Sequence, residues 1–209
     1  VAIGFESLKT NTTGTRNVAL GSYTLRASTT ASDNTAIGEQ AGYATTTGDE
    51  NTFVGIYAGL DNTTGSHNTS LGKNALKDNT TADNNTAVGK SALATNTTGS
   101  SNTAVGYQAL VANTTGNRNT AVGTESGDAI TTAEYNTSLG YRSLTAETTS
   151  GYNTALGTYA LQTQNGGAGN TAAGYSAGHQ ITTGDQNVLV GQAAGNSLTT
   201  GSNNICLGY

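Results

Sequence analysis

The chain has 209 residues with 29 glycines, one cysteine, no proline, methionine or tryptophan, and only 10% charged residues. The single Cys206 cannot form an intrachain disulfide or a cysteine zinc site, and the lack of proline excludes collagen. A net charge of −5, with only 8 Lys and Arg, argues against nucleic-acid binding, and no apolar run approaches the roughly 18 residues of a membrane span.

The sequence repeats every 17 residues along its whole length. Twelve such intervals, without insertion or deletion, separate Gly4 from Gly208, the first and last glycines that end an NTAVG-like segment. This register is typical of a stacked solenoid, so we expect residues 1–209 to form one continuous repeat array. An asparagine four residues before each later glycine keeps the same spacing, at Asn17, Asn34, Asn51, Asn68, Asn85, Asn102, Asn119, Asn136, Asn153, Asn170, Asn187 and Asn204.

With this Asn as position 1, the consensus is N-T-A-V-G-x-x-A-L-x-x-x-T-T-G-x-x. Positions 2 to 4 predict a short β-strand, which ends at the turn glycine of position 5. An extended stretch is predicted at positions 8 and 9, and a second strand at positions 12 to 14, around the Thr pair. Seventeen residues cannot hold two helices with their connections. The predicted fold is therefore all-β, a parallel β-solenoid (β-roll) of about twelve 17-residue coils.

The columns of equivalent residues predict which side chains are buried. Position 4 is aliphatic in every coil, and we expect it to form the core. Position 3, mostly Ala, lies on the opposite face of the strand and never carries a charge. A strand whose two faces both carry only apolar or small residues is usually covered on both faces. A coil this thin can cover only one face of its own strand. We therefore expect a homo-oligomer, most simply a homotrimer, with the Ala column near the subunit interface.

The polar columns are assigned structural roles. All 13 acidic and 8 basic residues fall at positions 6, 7, 10, 11, 12, 16 or 17, which we expect to face solvent. For the repeated Asn we predict a left-handed turn conformation and an Asn ladder, in which each amide bonds the Asn of the next coil.

The segments NTAVGYQAL, NTAVGKSAL and NTSLGYRSL resemble the repeats of bacteriophage tail fibres and of bacterial proteins with tail-fibre domains. They are also similar to the [S/N]-x-A-[I/V]-G repeats in the head domains of trimeric autotransporter adhesins. The resemblance covers essentially the whole chain. It implies a left-handed parallel β-roll, three chains in a compact homotrimer, and attachment to cell surfaces. The period here is longer than that of autotransporter heads, so their cross-section is not carried over.

These features predict a structural and adhesive rod segment of a trimeric fibre, on a virion tail or a bacterial surface. The expected partners are other copies of the chain and a cell-surface glycan or protein. Because neither end has a polar cap and no initiator methionine is present, we expect a fragment of a longer fibre. No enzyme activity, cofactor or metal is expected, because acidic residues are scattered and His67 and His179 lie in different columns.

Aromatic residues at positions 6 and 7, just after the turn glycine, are the candidate ligand-binding stripe. A tyrosine offers a flat apolar face and a hydroxyl, which suit sugar or protein surfaces. Alternatively, these rings cover turn edges or seal the seam between subunits. The stripe consists of Tyr23, Tyr57, Tyr107, Tyr141, Tyr159 and Tyr175.

Ice binding is the alternative function, because flat threonine ranks on a β-solenoid are a feature of ice-binding proteins. Positions 13 and 14 are each Thr in 11 of 12 coils. Adjacent residues of a strand point to opposite faces, so only one of the two columns forms an outer rank. Hydroxyls of the other column would need hydrogen-bond partners inside.

Overall fold

The computed structural model describes residues 1–209 as an all-β parallel β-solenoid of about twelve 17-residue turns. Each coil contributes one short strand to a single 13-stranded sheet, and each strand pairs with its neighbours in sequence. The strands are β1 (Ala2–Ile3), β2 (Val18–Leu20), β3 (Thr35–Ile37), β4 (Thr52–Val54), β5 (Thr69–Leu71), β6 (Thr86–Val88), β7 (Thr103–Val105), β8 (Thr120–Val122), β9 (Thr137–Leu139), β10 (Thr154–Leu156), β11 (Thr171–Ala173), β12 (Val188–Val190) and β13 (Ile205–Leu207).

Every strand pairs with the next at the same repeat position. Between β6 and β7, for example, Ala87 pairs with Ala104 and Val88 with Val105. The glycine after each strand has φ between 110° and 143°, and a Cβ at Gly106 would lie 2.4 Å from the Gly123 carbonyl oxygen. Glycine is therefore required at position 5 by both backbone conformation and close coil stacking. The predicted strand at positions 2 to 4 and the vertical alignment of the coils are confirmed.

The prediction of which strand face is buried is wrong. Position 3 points into the coil and is fully buried from β2 to β12, whereas the aliphatic position 4 points outward. Leu20 is 44% exposed and Leu139 49% exposed. The physical reason is the narrow interior, because the Leu of position 9 already fills it and leaves space for only Ala at position 3 in most coils. The Ala column is thus the core of each chain, not a residue column near a subunit interface.

The predicted second strand at positions 12 to 14 is also wrong, and positions 8 and 9 lie in turns. Two backbone N–H groups in the Thr pair share one acceptor, since Thr97 and Thr98 both donate to the Thr114 carbonyl, at 2.9 and 3.2 Å. A strand ladder gives each carbonyl one N–H donor instead. Residues at positions 7, 9 and 17 have a left-handed backbone conformation, which further interrupts any extended run. Their φ is 48° to 64° for non-glycine residues and 58° to 70° for glycine.

Position 9 shows how the core keeps a constant volume. From Leu25 onward it is a buried Leu or a Gly, and where it is Gly a neighbouring position carries the larger side chain. Phe53 at position 3 lies beside Gly42 and Gly59, and a Cβ at Gly59 would be 2.4 Å from the Phe53 ring. Leu189 occupies the corresponding space beside Gly195. Close packing of the interior explains this exchange of bulk between columns.

Position 12 is interior rather than solvent-facing, which corrects the expectation for that charged column. From Asn62 to Asn113 the buried amides form a ladder, in which Asn79 Nδ2 donates to Asn62 Oδ1 at 2.7 Å. Glu147, at the same position, is fully buried. Its carboxylate accepts the backbone N–H of Ser150 at 2.6 Å. No cation is paired with it, so backbone amides of the turn provide its hydrogen bonds instead.

The Phe53 and Gly59 pair allows a stability test in which the effect of Gly59→Leu on the free energy of unfolding changes sign with the residue at position 53. Gly59→Leu alone should be strongly destabilising, because the new side chain would overlap the Phe53 ring. Phe53→Ala alone should lower the free energy of unfolding by about 3–5 kcal/mol through the cavity it leaves. In the Phe53→Ala background, Gly59→Leu should recover part of the lost stability, because it recreates the Ala and Leu arrangement in that coil while the space beside Gly42 stays open. Denaturant unfolding of the four variants measures this, and additive effects would contradict it.

Candidate functional site

Three of the predicted aromatic residues come together on adjacent coils. Tyr141 and Tyr159 make an edge-to-face contact with ring centroids 5.5 Å apart, and Tyr159 and Tyr175 make another at 6.0 Å. The His179 ring lies 6.5 Å from that of Tyr159. We call Tyr141, Tyr159, Tyr175 and His179 the tyrosine cluster. Its rings are close enough to present one aromatic surface across three coils.

The other members of the predicted stripe do not join this surface. Tyr23 contacts Phe5, with centroids 5.3 Å apart. Tyr107 lies under the Lys90 ammonium, 5.6 Å from the ring centroid, and Tyr57 contacts no other ring. Intervening coils carry non-aromatic residues at positions 6 and 7, which interrupts the stripe.

Charged groups border the tyrosine cluster on one side. The Arg142 guanidinium lies 5.6 Å from the Tyr141 ring centroid and is paired with Glu125 at 2.5 Å. The hydrogen bond to Glu125 raises the pKa of Arg142 above its ordinary value. Burial, with a contribution from the Glu125 carboxylate, raises the pKa of Asp128. The edge of the cluster therefore places a cation, held by the Glu125 carboxylate, beside the apolar ring face of Tyr141.

A second aromatic group lies at position 17, outside the predicted stripe. Tyr135 and Tyr152 stack face to face, with centroids 5.0 Å apart and ring planes 6° from parallel. The Arg118 guanidinium lies 5.2 Å from the Tyr135 centroid and donates to its hydroxyl at 2.7 Å. We call Arg118, Tyr135 and Tyr152 the corner stack. The sequence signal was present, because Arg, Tyr and Tyr occupy position 17 in consecutive coils.

The repeated Asn residues form a ladder through the backbone. The side-chain oxygen of each accepts the backbone N–H of the Asn in the next coil, as from Asn119 to Asn102 at 2.9 Å. The amide nitrogen donates to the position 15 carbonyl of its own coil, as from Asn102 to Gly116 at 2.8 Å. The left-handed conformation predicted for these Asn residues is wrong; it belongs to position 17, just before them. Direct bonds between the amides occur only near the end of the array, as from Asn187 to Asn170.

The two threonine columns differ in their hydrogen bonding. Position 13 hydroxyls donate to the carbonyl of the next coil, as from Thr97 to Thr114 at 3.0 Å. Position 14 side chains are exposed in every coil, and their hydroxyls donate no hydrogen bond within the chain. A further column, which the sequence reasoning missed, lies at position 2, where nine consecutive coils from Thr35 to Thr171 place Thr beside the aliphatic position 4.

The side chains of positions 2 and 4 together form the outer sheet face. Its members come from all thirteen strands and include Val18, Leu20, Thr86 and Val88. None of them is charged. Equivalent residues of the face lie in register, because each strand pairs with the next at the same repeat position.

The acidic residues at position 16 hold the backbone of adjacent coils. Asp49 accepts the backbone N–H of Ser32 at 2.6 Å, and Asp83 accepts that of Ser66 at 2.7 Å. No three His, Cys, Asp or Glu side chains are grouped as a metal site would require. No helix of the chain has the length and apolar character needed to cross a bilayer.

Comparisons with family models, with curated proteins and with solved structures found no match for this chain. The outer sheet face, the tyrosine cluster and the corner stack are therefore the features from which a function is proposed.

The tyrosine cluster predicts a specific loss of binding. Replacing Tyr141, Tyr159 and Tyr175 together with Ser should markedly weaken binding to glycan arrays or cells, because the shared aromatic surface is removed. Ser already occurs at these turn positions, as Ser22, Ser91 and Ser176, so the fold should be retained by circular dichroism. The matched control replaces the separated Tyr23, Tyr57 and Tyr107 with Ser and should bind normally. Unchanged binding by the cluster variant would reject the site.

Proposed function

We propose that the chain is a structural and adhesive rod segment of a homotrimeric fibre, on a phage tail or a bacterial surface. In this role it presents or mediates attachment to a host or cell surface, outside the cell. The observation that carries the proposal is the outer sheet face, a continuous aliphatic column whose members are exposed or half-buried along the whole rod.

The exposed column is unusually long for a chain without a partner. With about 4.8 Å between paired strands, twelve intervals extend roughly 58 Å. Leu71 is 47% exposed and Val190 42% exposed, so the apolar character persists along the length. A contiguous apolar strip of this kind marks an interaction surface, since monomers rarely expose one.

Other copies of the same chain are the occupants that fit best. The face carries no charge, so copies meet without burying an unpaired ion. Every strand presents the same pair of columns at the same spacing, which lets sister chains align in register over the full length. A strip roughly 58 Å long would need a width of only about 14 Å to bury the ~800 Å² per partner of a stable interface. The resemblance to tail-fibre and adhesin-head repeats favours three chains around a common axis.

Charges placed on the outer sheet face should separate the chains. Val105→Lys combined with Val122→Lys would bury unpaired ammonium groups, each costing about 3–5 kcal/mol, so the trimer should dissociate at micromolar concentration. The matched control, Thr98→Lys with Thr115→Lys, places the same charges on the exposed position 14 and should leave the trimer intact. Sedimentation velocity measures both. A monomeric or dimeric unmodified chain would refute the trimer.

Ice binding is the second candidate, favoured by the Thr column at position 2 beside the aliphatic column at position 4. Position 13 does not serve this function, because its hydroxyls are bonded to carbonyl groups of the next coil. Two features support the fibre instead. Position 4 varies irregularly among Val, Leu, Ile and Ala, whereas a crystal lattice is matched by identical groups at equal spacing. The exposed Thr residues of position 14 form a single row along the rod, whereas an ice surface repeats in two directions.

The two candidates compete for one face, so solution measurements separate them. Association of subunits hides the outer sheet face, while ice binding requires it to be free. We expect no thermal hysteresis and no ice shaping by the unmodified chain at concentrations where it is trimeric. Thermal hysteresis from a monomer, lost in Thr103→Lys, would instead establish the ice-binding function.

A further inference from the structure

The corner stack ends in an open slot one coil high. Position 17 continues from Tyr152 to Gly169 and then to Gln186 in successive coils. Tyr135 covers one face of the Tyr152 ring, but Gly169 has no side chain to cover the other. Tyr152 is consequently 67% exposed, against 40% for Tyr135. The column therefore lacks one ring at the level of Gly169.

This slot is part of the largest groove on the rod, with a volume of about 660 Å³. That volume falls within the about 300–1,000 Å³ of small-molecule sites. Tyr152 and Gln186 are two coils apart, which separates their levels by about 9.6 Å. A ring packed at about 3.5–4 Å from Tyr152 fills this space as a single layer. The groove is lined by Tyr152, Ala168, Gly169, Asp185, Gln186, Ser202 and Asn203.

Polar groups around the slot are available to a ligand. One Asp185 oxygen accepts the Ala168 backbone N–H at 2.8 Å, and its second oxygen has no partner within the chain. The side-chain amides of Gln186 and Asn203 are also free of intrachain hydrogen bonds. The slot thus offers a carboxylate acceptor and two amides, each able to donate and accept, around one open aromatic face.

We propose that this slot binds a neutral pyranose ring of a surface polysaccharide. The C–H face of the sugar would pack on the electron-rich face of Tyr152, while its hydroxyls bond Asp185, Gln186 and Asn203. A flat aromatic ligand would leave those polar groups unpaired. A phosphate-bearing ligand would be repelled by Asp185 and by the net charge of −5. This inference rests on the proposed attachment function and names its ligand class, at a place distinct from the outer sheet face.

The backbone provides a variant that blocks the slot without removing any binding group. Gly169 has φ of 70°, and non-glycine residues occupy position 17 of other coils at similar values, including Asn84 at 61°. A Cβ at Gly169 would be 3.5 Å from Gln186 Cγ, which is ordinary contact. Gly169→Tyr should therefore fold normally and continue the stack of rings into the space that the sugar requires.

The test measures binding of glucose, galactose, mannose and N-acetylglucosamine by saturation-transfer NMR, with phenol and inorganic phosphate as comparison probes. At least one sugar should bind the unmodified chain, and both Gly169→Tyr and Tyr152→Ser should weaken that binding about tenfold or more, as expected for loss of a stacking platform. Asn84→Tyr, the matched control, adds a ring at position 17 away from the slot and should bind as the unmodified chain does.

Several results would overturn the proposal. These are binding of none of the four sugars, sugar binding that persists in Gly169→Tyr, or stronger binding of phenol or phosphate at the slot. Sedimentation velocity of the same samples reports the trimer separately. A trimer without sugar binding rejects the slot alone, and sugar binding by a monomer rejects the fibre assembly alone.

Discussion

The stacking of one coil on the next constrains every other feature of this protein. Of 131 backbone hydrogen bonds, only 23 lie wholly within strands, so most hydrogen bonds between coils involve at least one turn residue. Each turn must therefore repeat its conformation in every coil, because lengthening or shortening one coil by a residue would leave backbone N–H and C=O groups without partners. This requirement explains the constant 17-residue period. It also explains the lack of proline, which would remove a donor from the ladder.

Side-chain ladders reinforce the same stacking where the backbone leaves groups unpaired. The Asn of position 1 has one acceptor and one donor group in the same side chain, and both are used, as Asn102 shows with Asn119 and Gly116. Threonine at position 13 and Ser or Asp at position 16 add bonds between adjacent coils, as in Thr97 to Thr114. Polar residues therefore stabilise a rod whose interior is too thin to hold a large apolar core.

The narrow interior also shapes the surface on which function depends. Because the core accepts Ala at position 3 and Leu at position 9, the branched side chains of position 4 lie outside. The aliphatic column is therefore available to sister chains or to another surface. The turns on either side of the strand carry the aromatic groups, so the proposed association and the proposed ligand binding would use different parts of each coil. Local departures from the repeat, such as Gly169 after Tyr152, make individual coils differ at the surface.

The repeat was sufficient to predict the β-solenoid, the position 2 to 4 strand and the vertical register, because a strict period with a turn glycine allows few other folds. It also indicated that Asn17 and its equivalents are structural. The interior face of the strand could not be predicted in the same way, because both faces are uncharged and the choice depends on the space left by the Leu of position 9. The pairing of Phe53 with Gly59, and the stack of Tyr135 on Tyr152, likewise depend on contacts between residues of the core and of adjacent coils, which no single repeat contains.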